Sequence, residues 1–249
     1  MLEYLEAHNF NRQALERLLR SESDTSSAVA ERRDLSSTQI RQVLSQQLMR
    51  AFRGSAPFED AFSFTYYSEI ALLIREVEPH GARLLYAERD TVSTQQLRAM
   101  LFALAEPPKL RRPWLPQLWV SYLDDERPEI VAEAIDGLWR YGDKKARFQV
   151  MQLQQHHSEY VRGSVLRYIS HIMPHFAPLL LVSALRDGHF IVRETAIDEI
   201  DRLEAVESLP YLYPLIEDAS SQVRQAAITA TANLKLASDY DHPEELRAG

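Results

Sequence analysis

The chain has 249 residues, 45% of them hydrophobic and 26% charged, with 12 Pro, 7 Gly and no Cys, a globular balance long enough to bury one large core or two small ones. The missing cysteine excludes disulfides, thiolate metal sites and a cysteine nucleophile, and suits a reducing compartment. The formal charge of −8 belongs to residues 113–249, which hold 13 Lys and Arg against 21 Asp and Glu, while residues 1–112 balance at 15 and 15; this regional acidity repels phosphate backbones and attracts basic partners.

Residues 1–6 carry acids where a secretory signal carries bases and an apolar run, so a cytoplasmic protein is expected. The longest apolar stretch, residues 176–185, is interrupted by Pro178 and falls short of the ~20 residues of a membrane span. Leu5, Leu15, Leu18 and Leu19 mark a first helix over about residues 2–20, followed by a polar linker over 21–36. Ile40, Val43, Leu44, Leu48 and Phe52 mark a second, opened at Ser36-Ser37-Thr38-Gln39 with capping-box spacing. Residues 1–56 thus read as N-terminal helices that cap the rest or form a separate arm. Over 57–112, divergent helical repeats are expected. Phe58, Phe62, Tyr66, Ile70, Leu73, Ile74 and Val77 share one helical face, 79–87 form a shorter helix, and Leu97, Met100, Leu101 and Leu104 follow the opening Asp90-Thr91-Val92-Ser93.

From residue 113 a period emerges. Val131, Val161, Val192 and Val223 are 30, 31 and 31 residues apart, each opening a helical pattern after a polar turn, and such a period means a solenoid. A small side chain stands three residues on (Ala134, Ser164, Thr195, Ala226), and Ile135, Val165, Ala196 or Ala227 follows, which makes one buried stripe. An apolar helix precedes each: Leu118 and Leu123, Phe148 and Leu153, Leu180 and Leu185, then Leu212, Leu215 and Ile216. Each unit is therefore a helical hairpin. Pro113, Pro116, Pro178, Pro210 and Pro214 cluster where first helices begin, with Pro214 deep enough to bend its helix, and Gly142 suits a C-terminal stop. Ser158 and Ser220 stand where caps are needed.

Asp187 before Val192-Arg193, and Asp218 before Val223-Arg224, each leading into a small-residue helix, resemble HEAT or HEAT-like repeats of the armadillo type; His156 before Val161-Arg162 is a weaker copy. The resemblance covers residues 113–236 and implies an all-α fold, a right-handed α-solenoid of stacked antiparallel hairpins, with 237–249 as a flexible acidic tail. In such proteins the turn Asp and helix Arg form a ladder between units, which assigns Arg162, Asp187, Arg193, Asp218 and Arg224 to structure. The first unit departs, with Glu126 at the Asp place and Ala132 at the Arg place.

Chemistry is not legible. No Gly-x-Gly occurs, and Gly137 and Gly142 have the outer spacing of a phosphate loop without the Lys-Ser/Thr continuation. Gly163-Ser164 belongs to the buried stripe rather than to a nucleophile elbow. His171 and His175 are separated by the helix-ending Pro174, while His156, His157 and His189 read as exposed turn residues. Asp198 and Arg202 are spaced as an i, i+4 pair on a solvated face. No cofactor, metal site or catalytic residue is expected.

The sequence points instead to a non-enzymatic scaffold, an adaptor, assembly factor or cognate inhibitor, whose acidic concave face of second-helix residues binds a basic protein. Glu133, Trp139, Tyr141, Tyr160, Glu194, Asp198 and Asp201 are its candidate contacts, with aromatics included because they dominate interface energetics. No nucleic acid or membrane is expected as a partner. Fold resemblance alone carries two alternatives, a phycobilin lyase-like chromophore-attachment factor and, weaker, an alkylpurine DNA glycosylase of HEAT-like repeats, which needs a basic groove. HEAT-repeat deoxyhypusine hydroxylases use His-Glu pairs, and this chain has no His-Glu dipeptide.

Overall fold

A computed structural model describes residues 37–57, 60–77, 80–106 and 112–241; the readings of residues 2–20, of the linker 21–36 and of the tail beyond 241 lie outside them. The chain divides into two compact units, residues 1–47 and 48–249. Of the first, the structure describes residues 37–47, the opening of helix α1, Ser37–Arg53.

In the second unit, all regular structure among the described residues is helical. After the end of α1 come α2 (Asp60–Val77), α3 (Gly81–Glu88), α4 (Thr94–Ala105), α5 (Leu115–Val120), α6 (Pro128–Tyr141), α7 (Arg147–Gln152), α8 (Glu159–Ile172), α9 (Ala177–Ala184), α10 (Phe190–Arg202), α11 (Leu209–Leu212) and α12 (Ser221–Asp241). The longer helices α2, α4, α6, α8, α10 and α12 pack each against the next; the short helices α5, α7, α9 and α11 pack on the long ones that follow them, and α3 packs chiefly on α2 before it. This is an all-α solenoid of stacked helical hairpins.

The repeat is more regular than the valines suggest. Asp125 Oδ1 accepts from the Arg127 N–H at 2.9 Å, Asp187 Oδ1 from His189 and Asp218 Oδ1 from Ser220, both at 2.8 Å, and His156 Nδ1 from Ser158 at 3.1 Å. Each is a side chain closing a turn on the amide two residues ahead, just before a long helix. Counted from these turns, the residues opening the stripe are Ile130, Val161, Val192 and Val223, uniformly 31 apart and at most 1% exposed. Ala134, Val165, Ala196 and Ala227 follow four residues on, all fully buried. The first unit is thus corrected by one residue: Asp125, not Glu126, holds the Asp place, and Val131, not Ala132, the Arg place.

Three rungs of hydrogen bonds run along the turns. Arg162 donates from Nε and Nη2 to Asp187, both at 2.8 Å, and from Nη1 to the carbonyl oxygens of His156 and His157 at 2.8 and 3.0 Å. Arg193 repeats this toward Asp218 at 2.9 and 2.7 Å, with Nη1 on Asp187 O. Arg224 donates from Nη1 to Asp218 O and Ala219 O. Each bidentate pair ties one unit to the next with fixed geometry.

Helix ends follow local chemistry. Ser93 and Gln96 form a reciprocal capping box at α4. Gly142, at φ 78°, ends α6 with its own N–H on Trp139 O and the Asp143 N–H on Leu138 O, the paired bonds of a Schellman motif. Ser158 stands at the N-cap of α8, but its side chain makes no capping bond there; the His156 ring closes the turn instead. Pro214 does not bend a continuing α-helix, because α11 stops at Leu212 and the chain goes on as a 3-10 turn, Tyr213–Glu217. In α2 the buried face is Tyr66, Tyr67, Ile70, Ala71 and Ile74, whereas Phe62, counted to that face from the sequence, is 65% exposed. Helix α12 continues past Leu236 to Asp241.

Candidate functional site

The α10 helix places Glu194, Asp198 and Asp201 at i, i+4 and i+7, hence on one side. Facing them, α12 places Gln222, Gln225 and Thr229 at i, i+3 and i+7. With Ser221, Ala226 and Ala230 these residues line an open groove of about 500 Å³. Asn233 Nδ2 donates to Asp201 Oδ2 at 2.9 Å and ties the two walls together.

The electrostatics of the groove centre on Asp198. Crowding by the groove walls, and then the nearby carboxylates of Glu194, Glu199 and Asp201, push its carboxyl up to about 6. All of these effects oppose ionisation. Arg202, spaced for an i, i+4 pair with Asp198, turns away and donates from Nε to Glu199 Oε2 at 2.6 Å. Glu199 is buried and also accepts from Ser170 Oγ of α8 at 2.5 Å, so the guanidinium is drawn to the carboxylate that most needs it.

The other candidate residues are dispersed along the solenoid. Glu133 falls at the register position that holds Ser164, Thr195 and Ala226 in later units. Instead of facing solvent it is 6% exposed and accepts from Arg98 Nε of α4 at 3.3 Å. Burial, reinforced by Asp136 and opposed by Arg98 and Arg140, pushes its carboxyl up to about 7. Trp139 is half-buried, stacked on His171 at 4.3 Å with the rings 13° from parallel, and its Nε1 donates to Asp136 Oδ1 at 3.1 Å. Asp136 is held in turn by Arg167 of α8. Tyr141 is half-buried with its hydroxyl on Arg112 O at 3.2 Å, and Tyr160 at the start of α8 is 58% exposed. The structure therefore brings Glu194, Asp198 and Asp201 together and sets Glu133, Trp139, Tyr141 and Tyr160 apart from them.

Gln222, Gln225, Thr229 and Asn233 were not singled out from the sequence. Their polar i, i+3, i+7, i+11 series was visible, but the surface it shares with α10 exists only through the stacking. Among the turn histidines, His156 and His157 lie with rings 4.2 Å apart, while His189 Nε2 sits 3.7 Å from Glu159. Among the described residues, no group of three or more His, Asp or Glu side chains is placed to hold a metal ion, and no helix is long and apolar enough to cross a membrane.

No family model matches the chain, and no curated protein does. Among solved structures, an engineered protein is 15% identical, with 82% of this chain and 93% of that chain covered and a TM-score of 0.49. A designed armadillo repeat protein in complex with the peptide (KR)4 is 17% identical over 81% and 95%, with a TM-score of 0.47. A second designed armadillo repeat protein is 18% identical over 78% and 99%, with a TM-score of 0.43.

Proposed function

We propose that the protein is a non-enzymatic binding scaffold whose α10–α12 groove receives basic side chains of a protein partner, in an adaptor, assembly or inhibitory role. The observation that carries this reading is the uncompensated charge of the groove. Upstream, the long-helix acids Glu133 and Asp136 are answered by Arg98 and Arg167 from neighbouring helices. Glu194 and Asp198 have no basic partner among the described residues, and burial in the groove, and then the acids around it, push the Asp198 carboxyl up to about 6. A lysine or arginine brought into the groove relieves that repulsion, and Gln222, Gln225 and Thr229 line the same groove with polar groups that a partner's main chain can engage by exchanging their present bonds to one another and to Ser220 and Ser221.

The test is an affinity capture from native lysate at low and at moderate salt, repeated with Glu194, Asp198 and Asp201 changed to Lys. The expected result is a basic protein retained near stoichiometry by the native chain, lost as salt rises and lost with the substituted chain. Retention that ignores both salt and the three substitutions overturns the reading.

A further inference from the structure

On another side of α12 the ladder of rungs is open among the described residues. Arg162 and Arg193 each point Nη1 back to their own turn and offer Nε and Nη2 to the carboxylate of the turn that follows. Arg224 makes the backward half alone, through Nη1 to Asp218 O and Ala219 O at 2.6 and 3.0 Å. Its Nε and Nη2, the two donors that form the bidentate pair elsewhere, have no acceptor among the described residues.

The apolar position beside it is incomplete as well. Five residues after the opening of each stripe stand Ile135, Leu166, Ile197 and Ile228. The first three are 0%, 7% and 0% exposed, and Ile228 is 48% exposed. Two residues after the stripe opening, Gly163 lies against Thr195 of the following unit, so this side of a long helix is the side on which the next hairpin sits. Arg224 and Ile228 present together, at the same spacing, the guanidinium fork and the apolar residue that every clear earlier unit uses to hold its successor.

We propose that Arg224 and Ile228 form a docking edge for a helical hairpin of a second protein, one that carries Asp or Glu in the turn between its helices. A carboxylate matches the planar fork in both charge and geometry, which a single carbonyl oxygen does not. The exposed isoleucine calls for an apolar helix face, and the repeat fixes the offset between the two features. This edge is distinct from the groove, which lies on the α10 side of the same helix and selects positive charge.

Two experiments on the full chain test the edge. In the first, a second copy of residues 203–241 replaces everything after Asn233, so that the copied turn Asp falls 25 residues after Arg224, the spacing at which Arg193 meets Asp218. Arg224→Ala is expected to lower the Tm of the extended chain by about 3 °C more than that of the unextended chain, where only the Nη1 bonds to Asp218 O and Ala219 O are lost, and in the extended chain its effect and that of changing the added turn Asp to Ala are expected to be less than additive. Equal effects in both chains overturn the proposal. In the second, a benzophenone amino acid replaces Ile228 and the chain is irradiated in its native cells. The expected crosslink maps to a helix of another protein flanking an acidic turn, and its yield falls about tenfold with Arg224→Ala. Crosslinks confined to this chain's own residues, absent crosslinks, or a yield indifferent to Arg224 each overturn it.

Discussion

Arg193 and Asp218, 25 residues apart, face each other with both carboxylate oxygens engaged, at 2.9 and 2.7 Å, and with side chains only 14% and 8% exposed. Because Asp218 also closes its own turn on the Ser220 amide, one carboxylate serves the local turn and the joint between units. Removing either partner leaves a largely covered charge, so Arg193→Ala and Asp218→Ala are each expected to cost about 2 kcal/mol. The double variant should cost less than the sum, and Arg193→Lys should recover little, because an ammonium cannot make the paired contact. Denaturant titrations of the four chains check this. The Arg193 hydrogen bonds also hold the Asp218 carboxyl below its ordinary range. A lowered acid pKa stabilises fully above the unfolded value and is lost as pH falls through the folded one. The native chain and Asp218→Asn should therefore converge in stability only in strong acid.

Gly137 of α6 marks a close approach to the short helix α5. A Cβ there falls 2.4 Å from Nε1 of Trp119, a fully buried side chain. Neither the indole nor the α6 backbone has room to retreat, so Gly137→Ala is expected to destabilise by about 3 kcal/mol despite its better helix propensity. The measurement is the unfolding midpoint, with Trp119 displacement read as a shift in tryptophan emission.

That contact shows what the sequence holds and what it withholds. The small residues, the valines and the turn aspartates announce stacked hairpins, and Asp187, Arg193 and Asp218 are recognisable because they repeat. The first unit misleads because Ile130 and Val131 are adjacent, β-branched and both buried. Periodicity cannot choose between them, and the turn bond of Asp125 does. The pairing of Arg202 with Asp198, expected from their spacing, fails for a related reason. On a helix, i−3 and i−4 are equivalent neighbours, and Glu199 prevails over Asp198 only because α8 buries Glu199 against Ser170. Contacts between units, such as Asn233 with Asp201 or Arg98 with Glu133, depend on the rotation of one helix against the next and have no local signature.

Glu133 shows the cost of placing an acid at a position that other units fill with a small residue. Burial, and then Asp136, push its carboxyl up to about 7 against the help of Arg98. A raised acid pKa means the native chain binds more protons than the unfolded one between the ordinary glutamate value and about 7, so this group lowers stability as pH rises through that window. Glu133→Gln keeps an acceptor for Arg98 and removes the charge. It is expected to match the native chain at pH 4 and to exceed it at pH 8 by on the order of 1–3 kcal/mol. Glu133→Ala, which strands Arg98, should lose stability at both. Urea titrations at the two pH values decide between these outcomes.

Asp198 gives the parallel case at the surface, where stability and binding oppose each other. Its carboxyl is pushed up to about 6 by the groove walls and by Glu194, Glu199 and Asp201, so the ionised form is the costly one and its cost is present above that value and absent in acid. Because the residue keeps solvent access, screening holds the effect to about 1 kcal/mol. Asp198→Asn is thus expected to raise the unfolding midpoint at pH 7.5 and to leave it unchanged at pH 4. A core residue whose replacement stabilises has no further role to lose. A groove residue that receives a partner's cation does, and the native chain should bind its basic partner more tightly than Asp198→Asn at pH 7.5, by about tenfold, with the difference fading toward pH 5 as Asp198 takes up its proton. Parallel calorimetric titrations at the two pH values read this directly. A gain in stability at neutral pH with no loss of affinity would leave Asp198 a solvated surface acid and move the binding site elsewhere on the solenoid.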